Sequence, residues 1–373
     1  MLENLKRQEA VLPTIDRSRT LEMLFELQTL YFGDNEAVVK YGEPAYWEDL
    51  SGGLLTCCRT SDDDEPATDD HKDAADDEEE APQNSSMPMA LLPSHLLQHI
   101  TSQGYHILPP PPRRSKQESS MAFSSTLEAL VKAGWPPQFL LMYNETWDLL
   151  KDAVHGMIGD ECDNFYIESD VNIWSLKRNS PPGTYIGGNF IKPHRDMVYN
   201  ACHDEDDLPT SLSVWIPLNP SGATNHNGCM RILPIEKDDF FYSPAHPNHS
   251  RNSNYTDTDA EKLTCAQFGA CVWDPTCVHW GGSYEADKSE EEPRSSLAFT
   301  IRLGKKAADF GTCSSTSSAS EQQTGTKACL VKNCVKGGPK RRLQVVAKGL
   351  LSYSHHFPGF PIEGFRENMG LSP

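Results

Sequence analysis

Two residues at positions 194 and 196 have the types and the spacing of metal ligands. His194 and Asp196 are separated by one residue, and residues i and i+2 of a β-strand point to the same side. An imidazole and a carboxylate at the end of one strand can therefore bind the same ion. A histidine from a distant strand would complete a set of two histidines and one carboxylate, which holds Fe(II) and leaves coordination positions open.

His279 is the best candidate for this third ligand. It stands in PTCVHWGG, at the end of an apolar strand and just before a Gly-Gly turn. The chain has another histidine followed by acidic residues, His203, in the segment HDEDDLP. That segment is a charged loop with no apolar residue nearby to shield a site. We therefore favour His194 over His203 as the partner of His279.

The tripeptide His-Arg-Asp at 194–196 also begins the catalytic loop of protein kinases, and Asp-Phe-Gly at 309–311 gives apparent support. A kinase places the metal-binding Asn five residues after the catalytic Asp, whereas Asn200 comes four residues after Asp196. No Gly-rich loop precedes His194, and Asp-Phe-Gly lies far beyond the next hairpin. We therefore reject the kinase interpretation.

Zinc is a second alternative, because Cys271 and Cys277 stand close to His279 in the sequence. A structural zinc site needs four ligands, usually in closely spaced pairs, and the chain has no Cys-x-x-Cys among its 11 cysteines. We interpret these scattered cysteines as reduced thiols of a cytoplasmic protein. The N-terminus has no apolar signal core, and no run approaches the ~18 apolar residues of a membrane helix.

Beyond residue 164 the chain consists of short runs rich in β-branched and aromatic residues, separated by the turn sequences PPG, NPSG, NHNG and WGGS. Six or more such strands after a helical first part predict a mainly β fold with flanking helices, as a barrel or a double-sheet sandwich. Apolar spacing predicts helices at 21–32, from 92 to a stop at Gly104, at 125–135 and at 145–159.

The strand PRSSLAFTIRL, at 293–303, has one apolar and one mixed face. The apolar face carries Leu297, Phe299, Ile301 and Leu303, and the opposite face carries Arg294, Ser296, Ala298 and Thr300. The second face suits a barrel that encloses a ligand, and Arg294 with Ser296 can bind a carboxylate. In SLSVWIPL, Ser213 and Trp215 share a face, and Trp215 either walls this cavity or fills the core.

The ordered set HRD, SLSVWIPLN, NGCMRILP, VHWGG and PRSSLAFTIR resembles the phytanoyl-CoA dioxygenase-like family of Fe(II)/2-oxoglutarate oxygenases, over about residues 90–305. The resemblance implies a double-stranded β-helix, which is a jelly-roll or cupin-like barrel. It implies three cofactors or cosubstrates: Fe(II), 2-oxoglutarate and O₂. By position, it implies that His194, Asp196 and His279 bind the iron. It also places Arg294 on the distal carboxylate of 2-oxoglutarate and Trp215 beside this cosubstrate.

The resemblance further implies hydroxylation of a small organic substrate, with release of succinate and CO₂. Asp196 favours hydroxylation over halogenation, because the related halogenases lack the carboxylate. Desaturation or ring closure by the same oxidant is a further reaction that the sequence leaves open. The alternative is a non-catalytic jelly-roll binding protein that retains the metal site. One departure concerns the pocket rim: the chain reads Pro-Ile-Glu-Lys-Asp at 234–238 where the family usually has Pro-Gly-Ser-His.

The net charge of −20 is unevenly distributed along the chain, since residues 61–83 hold 12 acidic residues and one Lys. Such a segment cannot bury an apolar core and is predicted to be disordered. The remainder is only mildly acidic, which argues against a nucleic-acid partner and leaves a small molecule; the oligomeric state stays open.

The predicted organisation is a helical extension at 1–60, an acidic insert at 61–88, a dioxygenase domain at 89–310, a Ser/Thr-rich linker at 311–330, and a C-terminal tail with a helix at 331–373.

Overall fold

The computed structural model describes about half of the chain. The described residues are 43–57, 92–111, 117–133, 135–159, 166–168, 171–176, 192–249, 255–282, 294–303, 329–330, 342, 345–346 and 349–350. The predicted helix at 21–32, the acidic insert at 61–88 and the linker residues 311–328 lie outside them. The predicted domain boundaries stay predictions.

The helices of the described residues lie mainly in the first half of the chain. They are α1 (Pro44–Leu50), α2 (Ser94–Gln103), α3 (Gln117–Lys132), α4 (Asn144–Ile158) and α5 (Tyr199–Cys202), with 3₁₀ turns at Pro137–Met142 and Ile235–Lys237. The predicted stop of α2 is confirmed, because Gly104 adopts the left-handed conformation, with φ of 90°, that favours glycine at a helix end. No helix among these residues is long and apolar enough to span a membrane.

Within the described residues, ten short strands form two antiparallel sheets. They are β1 (Tyr105–Leu108), β2 (Tyr166–Ile167), β3 (Asn172–Leu176), β4 (Ser211–Pro217), β5 (Met230–Ile232), β6 (Glu261–Leu263), β7 (Ala270–Trp273), β8 (His279–Gly281), β9 (Arg294–Arg302) and β10 (Cys329–Leu330). The larger sheet has the order β1-β7-β4-β9-β2-β10, and β3 also pairs with β9; the smaller has the order β6-β5-β8. This arrangement confirms the predicted mainly β, jelly-roll fold with flanking helices.

The alternation of residue types in β4 and β9 correctly predicted which side chains share the apolar face and which share the opposite face. The apolar residues of both strands join the main hydrophobic core with the helices; these are Leu212, Val214, Ile216, Leu218, Leu297, Phe299, Ile301 and Leu303. The opposite face lines a cavity between the two sheets. Trp215 satisfies both alternatives left open above, because it lines this cavity and packs in a smaller core cluster.

Residues before and after the β-domain share its core. Trp47 of α1 is fully buried and stacks on Phe139, with ring centroids 5.2 Å apart. The buried Arg342 donates hydrogen bonds to the Met142 carbonyl and to Asn144 Oδ1. The described parts of both ends of the chain therefore pack on the helical side of the larger sheet.

Candidate metal centre

The two candidate histidines face each other across a backbone bridge. The amide nitrogen of His194 lies 3.0 Å from the carbonyl oxygen of His279, and the reverse pair is 2.9 Å apart. Residues paired directly in an antiparallel bridge point to the same side, and the two imidazole centroids lie 4.3 Å apart. The bridge therefore brings together two ligands that are 85 positions apart in the sequence.

Both imidazoles are oriented by backbone carbonyls. Nδ1 of His194 lies 2.9 Å from the Lys192 carbonyl, and Nδ1 of His279 lies 3.0 Å from the Cys277 carbonyl. A carbonyl only accepts hydrogen bonds, so Nδ1 carries a proton in each ring and Nε2 is the nitrogen available to a metal. This is the second-sphere arrangement that fixes a histidine as a metal ligand.

Asp196 supplies an oxygen beside both Nε2 atoms. Its Oδ1 lies 3.4 Å from His279 Nε2 and 3.9 Å from His194 Nε2, and the three donor atoms all lie within 4.8 Å of one another. Its Oδ2 accepts a hydrogen bond of 2.6 Å from the Ser213 hydroxyl. Ser213 therefore leaves one carboxylate oxygen for a metal.

His194 and Asp196 have protonation states that suit a metal site. Burial, and then the proximity of His279, lower the pKa of His194 to about 4, so this ring is neutral at neutral pH. Burial alone would raise the pKa of Asp196, but the two histidines and Ser213 outweigh it and hold this pKa well below its usual value. Burial alone would lower the pKa of His279, but the Asp196 carboxylate outweighs it and raises this pKa, so a metal ion would take the place of the proton between these two side chains. Two nitrogen donors and one carboxylate with a free side fit Fe(II).

The cavity extends from these ligands to a buried guanidinium. It has a volume of about 310 Å³, and its lining includes His194, Asp196, His279, Trp215, Arg294 and Ser296, so the structure brings all six predicted site residues together. Their assigned roles stay predictions. His194 and Asp196 are about one-third exposed, whereas Arg294 and Ser296 are buried. The metal end of the cavity is therefore open, and the Arg294 end is deep.

Gly228, in the Asn-Gly-Cys-Met turn before β5, makes room for Arg294. It has φ of +81°, and a Cβ there would lie 3.0 Å from Arg294 Nη1 and 2.4 Å from the Gly282 carbonyl oxygen. Any larger residue would both strain the turn and press on the guanidinium. The deep end thus has the cation and the free space that a carboxylate needs.

Arg195, which lies between two ligands, has a role that the sequence did not reveal. Its guanidinium binds both carboxylate oxygens of Asp238, at 2.6 and 3.0 Å. It also donates to the carbonyls of His249 and Thr276. Both charged side chains are almost fully buried. Arg195 therefore ties the turn before His279 to the loop after β5.

His203 is buried rather than unshielded, which corrects the sequence interpretation of its surroundings. Its ring stacks on Tyr199, with centroids 3.8 Å apart. Cys202, His203 and Asp274 also form a second group with metal-binding atom types. However, His203 Nε2 lies 2.8 Å from Asp274 Oδ2, and Nδ1 lies 3.0 Å from the Tyr199 carbonyl. Both ring nitrogens are used, so this group is a buried ion pair.

Residues 178–289 match the family model described as phytanoyl-CoA dioxygenase. This range includes all three candidate metal ligands, and the match confirms the family resemblance for this part of the chain. No curated protein matches the sequence.

Three similar solved structures are non-heme enzymes. The alpha-ketoglutarate-dependent carbocyclase SnoK from nogalamycin biosynthesis is 15% identical, with 57% of this chain and 85% of that chain covered and a TM-score of 0.37. The epimerase SnoN, in complex with Fe³⁺, alpha-ketoglutarate and nogalamycin RO, is 12% identical, with 64% and 97% covered and a TM-score of 0.35. The monooxygenase ThoJ is 15% identical, with 69% and 99% covered and a TM-score of 0.40. Likenesses this distant do not assign an activity to the chain.

The Arg195→Met variant is expected to lose about 3 kcal/mol of unfolding free energy, because it leaves the buried Asp238 carboxylate without its cation. Chemical denaturation measures this loss. The matched control is Lys237→Met, which removes an exposed ion pair with Glu261 and should cost less than about 1 kcal/mol. Equal losses in the two variants would contradict the anchoring role.

The His203–Asp274 pair predicts a pH-dependent stability. Burial alone would lower the pKa of His203, but the hydrogen bond to Asp274 outweighs it and raises this pKa to about 10. Because the folded pKa lies above the unfolded value of 6.5, the pair stabilises the fold fully below pH 6.5. This stabilisation is lost as the pH rises towards 10, by up to about 1.4 kcal/mol per pH unit.

Unfolding free energies measured from pH 6.5 to 10 test this dependence. The His203→Gln variant should lose this part of the slope, whereas a variant of the exposed helical His155, His155→Gln, should keep it. A His203→Gln variant with the slope of the unmodified protein would show that the pair does not titrate in this range.

Proposed function

We propose that this chain is an Fe(II)- and 2-oxoglutarate-dependent dioxygenase that hydroxylates a small organic substrate. The observation that supports this most strongly is the convergence of His194 Nε2, Asp196 Oδ1 and His279 Nε2 on a cavity that ends in the buried Arg294. The three donors suit a ferrous ion, and the guanidinium suits the far end of a diacid.

The protein side chains would position the metal ion, which is not itself part of the polypeptide. His194, Asp196 and His279 would hold Fe(II), while the Lys192 and Cys277 carbonyls and the Ser213 hydroxyl keep these ligands oriented. When bound, Fe(II) with 2-oxoglutarate and O₂ supplies the oxidising chemistry that converts a C–H bond to C–OH, and 2-oxoglutarate becomes succinate and CO₂.

Arg294 and Ser296 would bind the distal carboxylate of 2-oxoglutarate. The two side chains lie on the cavity face of β9, and a guanidinium with a neighbouring hydroxyl can hold both oxygens of a carboxylate. Trp215 and Met230 form apolar walls beside them. These walls exclude water from the deep end, which strengthens the ion pair with the cosubstrate.

The proposal also includes the type of reaction, the cellular compartment and the class of partner. Asp196 occupies the position that a halide would need, so hydroxylation is favoured over halogenation. The free thiols among the described residues, Cys57, Cys202, Cys229, Cys265, Cys271 and Cys277, support a reducing compartment such as the cytoplasm. The acidic composition supports a small-molecule partner rather than a nucleic acid.

A non-catalytic jelly-roll protein that retains the metal site is the alternative. Such a protein would bind iron and 2-oxoglutarate without consuming them. The complete ligand set together with Arg294 favours catalysis, because a site that is no longer used keeps no constraint on all four side chains at once.

The Asp196→Ala variant is expected to abolish succinate formation and to weaken Fe(II) binding, because one of three protein ligands is lost. Succinate is measured by chromatography after incubation with Fe(II), 2-oxoglutarate and a substrate panel, and iron is measured by calorimetry without oxygen. Asp206→Ala, a change at an exposed acid of the following loop, should alter neither quantity. Undiminished succinate formation by Asp196→Ala would remove this carboxylate from the ligand set.

The Arg294→Ala variant is expected to raise the KM for 2-oxoglutarate by about 10- to 100-fold, because a charge-assisted hydrogen bond contributes about 1.5–3 kcal/mol. The dissociation constant of Fe(II) should stay within about twofold. Arg294→Lys keeps the charge but not the two-pronged geometry, so its KM should be intermediate. An equal effect on iron and on 2-oxoglutarate would contradict the assignment.

A further inference from the structure

A carboxylate that the chemistry above does not use lines the same cavity. Glu168 follows β2, is almost completely buried and lines the cavity together with Asn172 and Thr300. Its amide donates a hydrogen bond to the Thr300 carbonyl. A buried carboxylate is costly unless the fold compensates for it, so its placement in a ligand cavity calls for a reason.

The strand registers place Glu168 at the metal end of the cavity. Thr300 pairs with Ser213, the residue whose hydroxyl holds Asp196. Ser296, at the cosubstrate end, pairs with Pro217. Glu168 bonds to the backbone of Thr300 on the side of β9 opposite to Ser213. It therefore lies at the level of the metal ligands along the cavity, one strand further across the sheet.

Arg302 keeps this carboxylate charged and oriented. Its guanidinium forms an ion pair with Glu168, and both side chains are largely buried. Arg302 does not itself belong to the described lining of the cavity, whereas Glu168 does. The negative end of the pair therefore faces the cavity, and the positive end lies behind it.

The cations that line the cavity already have binding partners, so few positive charges remain for an anionic substrate. Apart from histidines, the cations among its described lining residues are Arg195 and Arg294. Arg195 binds Asp238, and Arg294 is assigned to 2-oxoglutarate. Fe(II), Asp196, the 2-oxoglutarate dianion and Arg294 would together be neutral, and Glu168 and Arg302 neutralise each other. The part of this second pair that lines the cavity is the carboxylate of Glu168, so a substrate meets its negative end.

We propose that the substrate of this site is a small molecule with a protonated amine, which Glu168 binds at the metal end of the cavity. This inference rests on the proposed function and adds the substrate class to it. The reaction is R–H + 2-oxoglutarate + O₂ → R–OH + succinate + CO₂. One oxygen atom of O₂ replaces the hydrogen of a C–H bond as hydroxyl, and the other enters the new carboxylate of succinate as C1 of 2-oxoglutarate leaves as CO₂; the C–H bond and 2-oxoglutarate each supply two of the four electrons that reduce O₂.

Matched series of linear amines, alcohols and carboxylates with four to eight carbons test this assignment. Their dissociation constants are measured by calorimetry on the full chain loaded with Fe(II) and 2-oxoglutarate in the absence of oxygen. The best amine should bind at least about tenfold more tightly than the alcohol of equal length, because a hydrogen bond to a charged group is gained. The carboxylates should bind more weakly than the alcohols.

The Glu168→Gln variant removes the charge and keeps the size of the side chain. It should weaken binding of that amine about tenfold, leave the alcohol unchanged, and leave the dissociation constant of 2-oxoglutarate within about twofold. Glu128→Gln, a change at an exposed acid of α3, is the matched control and should keep the preference for amines. If Glu168→Gln does not fold, the comparison of the three series on the unmodified chain decides the question.

The outcomes separate this inference from the proposed function. Absence of iron-dependent 2-oxoglutarate binding would overturn the dioxygenase assignment itself. Normal 2-oxoglutarate binding, with every amine binding no better than its alcohol, would overturn the substrate class alone. A Glu168→Gln variant that keeps the full preference for amines would likewise overturn the role of this carboxylate.

Discussion

One backbone pairing holds the site together. The segment that begins at His194 lies against the turn that leads into His279, and two hydrogen bonds join the two residues directly. The amide of Asp196 continues the pairing by donating to the Pro275 carbonyl. All three candidate ligands therefore belong to one hydrogen-bonded unit, and their separation is set by backbone geometry, which varies less than side-chain conformation.

Buried side chains reinforce this pairing. Arg195 donates to the Thr276 carbonyl, Cys202 contacts the Thr276 hydroxyl, and His203 forms an ion pair with Asp274. Asp238, the other partner of Arg195, is the last residue of the Pro-Ile-Glu-Lys-Asp segment in which the chain departs from the family pattern. Asp238, in the segment that departs from the family pattern, and Arg195, between two candidate ligands, thus form one buried ion pair.

The sequence predicts what depends on local periodicity. Strand alternation separated the two faces of β9, and the one-residue spacing between His194 and Asp196 pointed to a shared ion. It could not predict the partners of Arg195, because they are more than 40 positions away. It also could not predict the burial of His203, because Asp274, 71 positions away, joins the nearby Tyr199 around this ring. Strand β6 was also missed, since Glu261 and Lys262 are exposed and their pairing with β5 leaves no apolar signal.

Strand β9 carries an arginine at each of its ends. Arg294 and Arg302 are eight residues apart on the same face of this strand. Arg294 lines the deep end of the cavity, whereas Arg302 lies outside the described lining and pairs with Glu168. The deep end is closed, because Arg294 and Ser296 are buried, whereas the metal end is open through His194 and Asp196. A diacid that reaches Arg294 must pass the metal ligands, and a substrate beside Glu168 would block that path. If Arg294 binds 2-oxoglutarate and Glu168 binds the substrate, as proposed, 2-oxoglutarate would have to bind first.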